Sequence, residues 1–186
     1  MLNRAITVAA LAVGGVILSK QLRRARHHGM ASSIEESIDV NVPVSTAYNQ
    51  WTQFEDFPKF MDSVLEIRQL DDTHLHWRAR IGGKEVEWDA EITEQIPDKR
   101  IAWRSIGGAR NAGAVTFQKL SDSSTRITLQ MEYDPRGFAE NAADMLGAVR
   151  MQLKESLKRY KELVESRGQE TGAWRGTVAQ GTVAQH

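Results

Sequence analysis

The feature that most constrains the fold is one long amphipathic pattern towards the C-terminal end of the chain. Apolar residues recur there at intervals of three or four, at Phe138, Ala142, Leu146, Val149, Leu153, Leu157, Tyr160 and Val164. This spacing places them on one face of an α-helix about 40 Å long, enough to cross a whole small sheet. Asp134-Pro135 supplies a start signal for the helix, and Gly168 supplies a stop signal.

The first half of this predicted helix differs from the second half in composition. It carries few charges and is rich in small side chains and thioethers, at Ala142, Ala143, Met145, Gly147, Ala148 and Met151. Small residues leave space, and methionine adapts to variable shapes. Two interpretations follow: a plain core helix, or a helix that lines one wall of a ligand cavity.

The region before the helix has the pattern of an antiparallel sheet. Alternating residues predict a strand at Ile34–Val42, and Ser45 or Thr46 is positioned to cap a short helix that runs to Trp51. A second short helix is predicted at Phe54–Met61. Six further strands are predicted at Val64–Leu70, His74–Ile81, Lys84–Ile92, Arg100–Ile106, Ala114–Leu120 and Thr125–Tyr133. Seven strands, two short helices after the first of them and one long helix make an α+β fold.

The strongest local pattern is a hairpin whose two strands are joined by Gly82-Gly83. A two-residue turn at these glycines fixes the register of the two strands. The predicted pairs are His74–Glu91, Leu75–Ala90, His76–Asp89, Trp77–Trp88, Arg78–Glu87, Ala79–Val86 and Arg80–Glu85. One face of the hairpin is therefore expected to be charged and solvated, and the other aromatic and directed inward.

Composition excludes several classes of function. The chain has no cysteine, which rules out disulfides, thiolate catalysis and cysteine-based metal sites. Its 24 basic and 24 acidic residues balance, so no overall basic field favours a nucleic-acid partner. The five histidines show no metal-ligand spacing, and His74 and His76 are expected to be salt-bridged on the wet face of the hairpin. The sequence indicates no metal site, no cofactor and no catalytic acid–base pair.

The two ends of the chain differ from the central region. Ala5 to Ser19 is an uncharged apolar run, and the segment Lys20 to His28 after it is basic. We expect residues 1–32 to form a single-pass anchor in the bacterial inner membrane with the main domain, residues 33–168, on the cytoplasmic side. A cleaved signal peptide and a start at Met30 are the alternatives. Residues 169–186, with the repeat GTVAQ, are predicted to be a disordered tail.

Several stretches resemble the polyketide cyclase/dehydrase group of the START/SRPBCC (helix-grip) superfamily. They are SIEESIDVNVPVSTAYNQWTQFEDFPKFMDSVLEIRQLDD from Ser33, the block Trp88 to Ser105 and the motif Gly113 to Phe117. The resemblance covers about residues 33 to 167, and coenzyme-Q-binding START proteins are the branch that looks most similar. It implies a bent antiparallel sheet wrapped around the long C-terminal helix, with a ligand tunnel between them.

The resemblance also implies which residues face the tunnel. The short-helix residues at its mouth, the inward strand residues and one wall of the long helix would be Phe57, Phe60, Met61, Trp77, Trp88, Trp103, Phe117, Leu129, Met131, Tyr133, Met145, Leu146 and Val149. Polar candidates on inward positions are Glu36, Ser105 and Tyr133. A tightly filled core is the alternative to a tunnel, because aromatic stripes also pack as core.

These patterns lead to three hypotheses of function. The first is a membrane-anchored, non-enzymatic carrier or chaperone for a hydrophobic lipid-like ligand of the quinone or isoprenoid type. The second is an interaction protein with a filled core and an exposed apolar patch. The third is an enzyme of the aromatase/cyclase kind, which needs reacting polar groups inside the tunnel. We expect the first, with a hydrophobic small molecule and the membrane as partners.

Overall fold

The computed structural model describes residues 32–81, 83–133 and 142–184 of the 186-residue chain. The chain divides into two units, residues 1–31 and residues 32–186, of which only the second is described. The predicted membrane anchor therefore lies outside the described residues, apart from Ser32. Within the described part, no helix combines the length and the apolar character that a membrane crossing requires.

The described residues form one antiparallel sheet and two α-helices. The sheet order is β1-β7-β6-β5-β4-β3-β2, with β8 paired to β4 and β9 paired to β8. The strands are β1 Ser32–Val40, β2 Val64–Gln69, β3 His74–Ile81, β4 Lys84–Ile96, β5 Arg100–Gly108, β6 Asn111–Ser121, β7 Ser124–Tyr133, β8 Val178–Ala179 and β9 Thr182–Val183. The helices are α1 Val44–Trp51, a 3-10 helix Phe54–Lys59 and α2 Ala142–Arg167. The α+β helix-grip layout is confirmed, but the sheet has nine strands instead of seven.

The register of the β3–β4 hairpin is confirmed at every predicted pair, from His74 opposite Glu91 to Arg80 opposite Glu85. The charged face is held by ion pairs, including Arg80 Nη2 to Glu85 Oε1 at 3.0 Å and His76 Nδ1 to Asp89 Oδ1 at 2.8 Å. Two irregularities in the β4–β5 pairing interrupt the ladder, as β-bulges do where a sheet bends.

Helix α2 packs its apolar stripe against the sheet. Leu153, Leu157, Tyr160 and Val164 are all buried. Gly168 ends the helix as predicted, since its φ of +68° lies in the left-handed region and its N–H donates to the Val164 carbonyl at 3.0 Å.

Glu36 of β1 also holds α2 in place. Its carboxylate lies 3.4 Å from Arg150 Nε and 3.8 Å from Lys154 Nζ, so two basic residues of the helix pair with one strand residue. This inward polar candidate is therefore an ion-pair partner of the helix.

The short helix α1 begins two residues earlier than a cap at Ser45 allows, and three earlier than a cap at Thr46 allows. Val44 is its first residue and Pro43 its N-cap, without a side-chain hydrogen bond, so Ser45 and Thr46 are not the cap. The Pro43 carbonyl accepts the Ala47 N–H at 3.0 Å and starts the helical ladder. The second predicted short helix is a 3-10 helix, with Pro58 inside it.

The prediction of a disordered tail is wrong for residues 169–184. Val178 is buried and pairs with Gln95 of β4. Arg175 makes a two-point ion pair with Asp98, at 2.7 and 3.0 Å, and its guanidinium lies 5.7 Å from the Tyr48 ring centroid. We call residues 169–184 the C-terminal strap. The composition of this segment suggested disorder because the few residues that anchor it are spread along a polar stretch.

Candidate functional site

A cavity of about 130 Å³ lies between the sheet and α2. Its wall is built from the inward residues of β2 to β7, from α2, and from the α1–3-10 segment with the loop that follows it. The residues on the helical side are Trp51, Phe54, Phe57, Met61, Ser63, Val149, Gln152, Leu153 and Ser156. The residues on the sheet side are Val64, Leu75, Trp77, Ala79, Ile81, Trp88, Ile92, Ile101, Trp103, Asn111, Leu129 and Met131.

Most of the predicted tunnel residues lie together in this wall. They are Phe57, Met61, Trp77, Trp88, Trp103, Leu129, Met131 and Val149. The period-2 alternation of the strands identified the inward faces, and the hairpin register brought the tryptophans to one place. Ligand binding by these residues stays a prediction.

The other predicted residues have different positions. Phe60 and Phe117 belong to the packed core, where their ring centroids lie 5.1 Å from Tyr160 and 5.5 Å from Tyr48. Leu146 packs against the core outside the cavity wall. For Tyr133 and Met145 the structure describes the strand and the helix they belong to but not their side chains. Phe60 and Phe117 were predicted to line the tunnel because they point inward. A sequence pattern shows that a side chain points inward but not whether it meets a cavity or packed neighbours.

The long helix does line the cavity, but its small residues do not face it at the described positions. Gly147 and Ala148 are exposed, and Met151 is 71% exposed. A side chain at Gly147 would meet open space. The apolar stripe itself supplies the cavity wall, and the small residues point away from it because neighbours two apart in a helix differ by about 200°.

The aromatic rings of the wall are arranged by the strand pairing. Trp77 and Trp88 are opposite each other in the hairpin, and their rings stack with centroids 5.5 Å apart and an interplanar angle of 13°. Phe57 stands edge-on to Trp77 at 5.8 Å. Trp103 pairs with Gly113 on β6, and a Cβ at Gly113 would collide with the Trp103 ring. The glycine therefore gives this indole the room to lie on the sheet.

The polar groups of the wall fall into two sets. The Trp103 indole N–H donates to Asn111 Oδ1 at 3.3 Å, and Asn111 is itself fixed, because its Nδ2 donates to the Ala109 carbonyl at 3.1 Å. By contrast, the indole N–H groups of Trp77 and Trp88 are buried without an acceptor. They are the only such side-chain atoms among the described residues.

The described part of the wall contains no carboxylate, histidine, lysine or arginine. Its polar side chains, apart from the indoles, are Ser63, Asn111, Gln152 and Ser156, and sequence reasoning missed all of them. No strong pattern marked them, since single serines and amides are common on any face. The wall thus offers aromatic contact and neutral hydrogen bonding.

The other polar candidates have structural partners. Ser105 Oγ accepts the backbone N–H of Asn111 at 3.1 Å. The Nδ1 atoms of His74 and His76 pair with Asp71 and Asp89 at 2.9 and 2.8 Å, on the wet face as predicted. Hydrogen bonds to its carboxylate lower the pKa of Asp71 to about 2, and the bond from the backbone N–H of Thr73 has the largest effect. Over the described stretches, no group of three or more histidine, aspartate or glutamate side chains is arranged so that it could hold a metal ion.

Comparison with known proteins shows that this chain matches a protein family. Residues 40–160 match the family described as polyketide cyclase / dehydrase and lipid transport. An uncharacterized 17.2 kDa protein of Streptomyces lincolnensis, from the melC2-rnhH intergenic region, is 55% identical over 148 residues, which is 79% of this chain and 99% of that protein.

Solved structures share the fold. The Zhui aromatase/cyclase of Streptomyces sp. R1128 superposes with a TM-score of 0.63 at 13% identity, covering 78% of this chain and 100% of that one. A START superfamily protein of Mycobacterium smegmatis gives a TM-score of 0.58 at 14% identity, covering 73% and 95% of the two chains. At these identities the likeness concerns the fold alone.

Proposed function

Because the chain belongs to the polyketide cyclase/dehydrase and lipid transport family, with the START-like fold, we propose that it binds a small apolar ligand between the sheet and α2. The observation that carries the proposal is the cavity of about 130 Å³ among aromatic side chains. An apolar cavity of about 150 Å³ engineered in another protein takes up benzene. The described cavity therefore has room for one ring, such as the head of a quinone, and an isoprenoid chain would require it to widen.

We propose further that the protein carries or chaperones this ligand and does not transform it. The support is the chemistry of the described wall, whose side chains include no group that titrates near neutral pH. Incubation with a linear 1,5-diketone, which can cyclise by an intramolecular aldol condensation with loss of water, followed by mass spectrometry, should return the compound unchanged. A dehydrated or cyclised product would overturn this proposal in favour of an aromatase/cyclase.

The cavity also supports the carrier over the interaction protein with a filled core. A filled core needs close packing throughout, whereas here Trp77, Trp88 and Trp103 surround open space. Exposed apolar side chains do occur, at Leu70, Ile106, Leu120 and Met151. Scattered single residues of this kind are ordinary on protein surfaces.

Filling the cavity tests the binding proposal. Ala79 on β3 is buried in the wall, and Ala79→Leu places a larger side chain in the ligand space. Ala148→Leu, on the exposed face of α2, is the matched control. We expect titration calorimetry on the full-length chain to show toluene binding in the parent and in the control, and at least tenfold weaker binding in Ala79→Leu. Absence of toluene binding by the parent, or equal binding by all three proteins, would contradict the proposal.

We propose that the ligand is handled at a membrane surface, with residues 1–32 as a single-pass anchor in the bacterial inner membrane and the domain in the cytoplasm. The apolar run Ala5 to Ser19 and the basic segment Lys20 to His28 support this proposal. The full chain should sediment with membranes in high salt, and a fragment that starts at Ala31 should not. Release of the full chain by salt alone would mean that the basic segment binds electrostatically and that no span exists.

A further inference from the structure

Two tryptophans of the cavity wall carry an unusual pair of hydrogen-bond donors. The indole N–H groups of Trp77 and Trp88 are buried without an acceptor, and both rings line the cavity. An unmade hydrogen bond of a buried donor carries a desolvation penalty, and native proteins pair nearly all such groups. Two unpaired donors on adjacent, stacked rings therefore require an explanation.

The pairing of the other polar groups shows that this is a local feature. Trp103 lines the same cavity, yet its indole N–H is bonded to Asn111. Deeper in the core, Gln95 Nε2 donates to the Tyr48 hydroxyl at 3.0 Å. Within the described residues, unpaired buried side-chain donors occur at the stacked tryptophans and nowhere else.

We propose, building on the ligand-binding function above, that the ligand is a neutral planar ring compound carrying an oxygen acceptor, and that Trp77 and Trp88 are its hydrogen-bond donors. Indole can only donate, so the ligand has to accept. Aromatic walls favour a planar ring, and the volume admits one ring with a small substituent. The described wall has no cation to balance a carboxylate, so the acceptor is a neutral oxygen, for example the carbonyl oxygen of an aromatic ketone, an aldehyde or a quinone.

The geometry adds a condition on how such a ligand enters. Both indole nitrogen atoms are covered by neighbouring protein atoms. The ligand's oxygen therefore reaches them only when the rings of Trp77 and Trp88 shift, and binding should be visible at the indole protons themselves.

Two ring compounds of nearly equal size test the inference. Acetophenone has a carbonyl oxygen, and ethylbenzene has none. In a nitrogen–proton correlation spectrum of the full-length chain, which contains five tryptophans, acetophenone should move the assigned indole N–H signals of Trp77 and Trp88 downfield. Ethylbenzene should leave their proton shifts at non-hydrogen-bonded values. Equal shifts with both compounds would overturn the inference.

A cycle of variants and ligands gives a second measurement. Trp77→Phe and Trp88→Phe remove the N–H and also enlarge the cavity, but the enlargement affects both compounds. Each variant should therefore lower the affinity for acetophenone relative to ethylbenzene by about three- to tenfold. Trp103→Phe is the matched control, because that N–H is already bonded to Asn111, and it should leave the ratio unchanged.

The outcomes distinguish this inference from the proposed function. If both compounds bind and no variant changes their affinity ratio, the donor role is wrong and the apolar binding site remains. If Trp103→Phe changes the ratio as much as the other two variants, the stacked pair has no special role. If neither compound binds, the donor role falls together with the proposed function.

Discussion

The two ends of the described part of α2 face the same sheet, but one end lies over a cavity and the other over a close-packed core. At the cavity end, Val149 and Leu153 border open space. At the packed end, Leu157, Tyr160 and Val164 are buried and border no part of the cavity. The residue types are similar at both ends, so hydrophobicity alone does not explain the difference.

Polar pairing differs as well. At the packed end the Tyr160 hydroxyl donates to the Ala47 carbonyl at 2.5 Å, and the Tyr48 hydroxyl accepts from Gln95. Burial is the main cause that raises the pKa of Tyr48 to about 12, and it raises the pKa of Tyr160 well above its ordinary value. At the cavity end two indole donors have no partner.

The C-terminal strap reinforces the packed end. Thr171 N–H donates to Gln50 Oε1 at 3.0 Å, and Trp174 N–H donates to Thr52 Oγ1 at 3.0 Å, so the strap is bonded to the C-terminal part of α1 and the residue after it. Open space and unpaired donors therefore occur together at the cavity end of α2. Each lowers stability, and their coincidence is the observation on which the proposed ligand site rests.

The largest expected effect is a difference between two leucines one turn apart on α2. Leu157→Ala should destabilise the domain by about 2–5 kcal/mol, because it opens a hole in close-packed surroundings. Leu153→Ala should lie at the low end of that range, since this side chain already borders open space and has fewer contacts to lose. Urea unfolding followed by circular dichroism measures both.

The two variants are matched in residue type, helix and atoms removed, so each serves as the control for the other. Equal losses of unfolding free energy would mean that the cavity end is packed as tightly as the rest. Such a result would remove the basis of the comparison.

Much of the fold could be predicted from local chemistry. The two glycines between the strands and the opposed charges were enough to predict the β3–β4 register, which the structure has pair by pair. The apolar stripe of the long helix identified its buried face, and Gly168 marked its end. These features depend on neighbours in the sequence or on a two-residue turn, which is why a sequence pattern shows them.

Other features depend on which residues meet across the fold. Phe57 and Phe60 are the same residue type and lie three positions apart in one short segment. Only Phe57 reaches the cavity, whereas Phe60 is packed in the core. The strap looked disordered because single residues such as Val178 and Arg175 anchor it to distant partners. Likewise, no pattern marks a tryptophan whose N–H lacks an acceptor, because this is a property of the space around it.

A second expected effect concerns added volume. Ala79 and Ala90 are both buried on neighbouring strands, but only Ala79 borders the cavity. Ala90→Leu should overpack the core and cost about 1–3 kcal/mol of unfolding free energy. Ala79→Leu should be neutral or stabilising, because the new side chain fills existing space. Thermal unfolding distinguishes them, and a loss of stability in Ala79→Leu equal to that in Ala90→Leu would contradict the cavity.

The smallest expected effect is the difference in unfolding free energy between removing a polar group that has a hydrogen-bond partner and removing one that has none. Tyr160→Phe removes a buried hydrogen bond and should cost about 1 kcal/mol. Replacing Trp77 by 3-benzothienylalanine, in which sulfur takes the place of the indole N–H, removes a donor that has no acceptor. Its stability should stay level or rise by up to about 1 kcal/mol. Urea unfolding at neutral pH measures both, and a loss at Trp77 as large as that at Tyr160 would mean that the indole N–H has a partner.

The pH dependence of Tyr160→Phe sharpens this test. An unfolded tyrosine releases its proton above its ordinary pKa of 10.0, whereas burial keeps the folded Tyr160 protonated to higher pH. The unfolded parent protein therefore gains stability from ionisation as the pH rises above 10.0, and the phenylalanine variant has no such gain. The stability advantage of the parent should be constant below pH 10.0 and shrink above it. An advantage that did not change with pH would mean that the hydroxyl titrates alike in both states, which the buried bond to Ala47 does not allow.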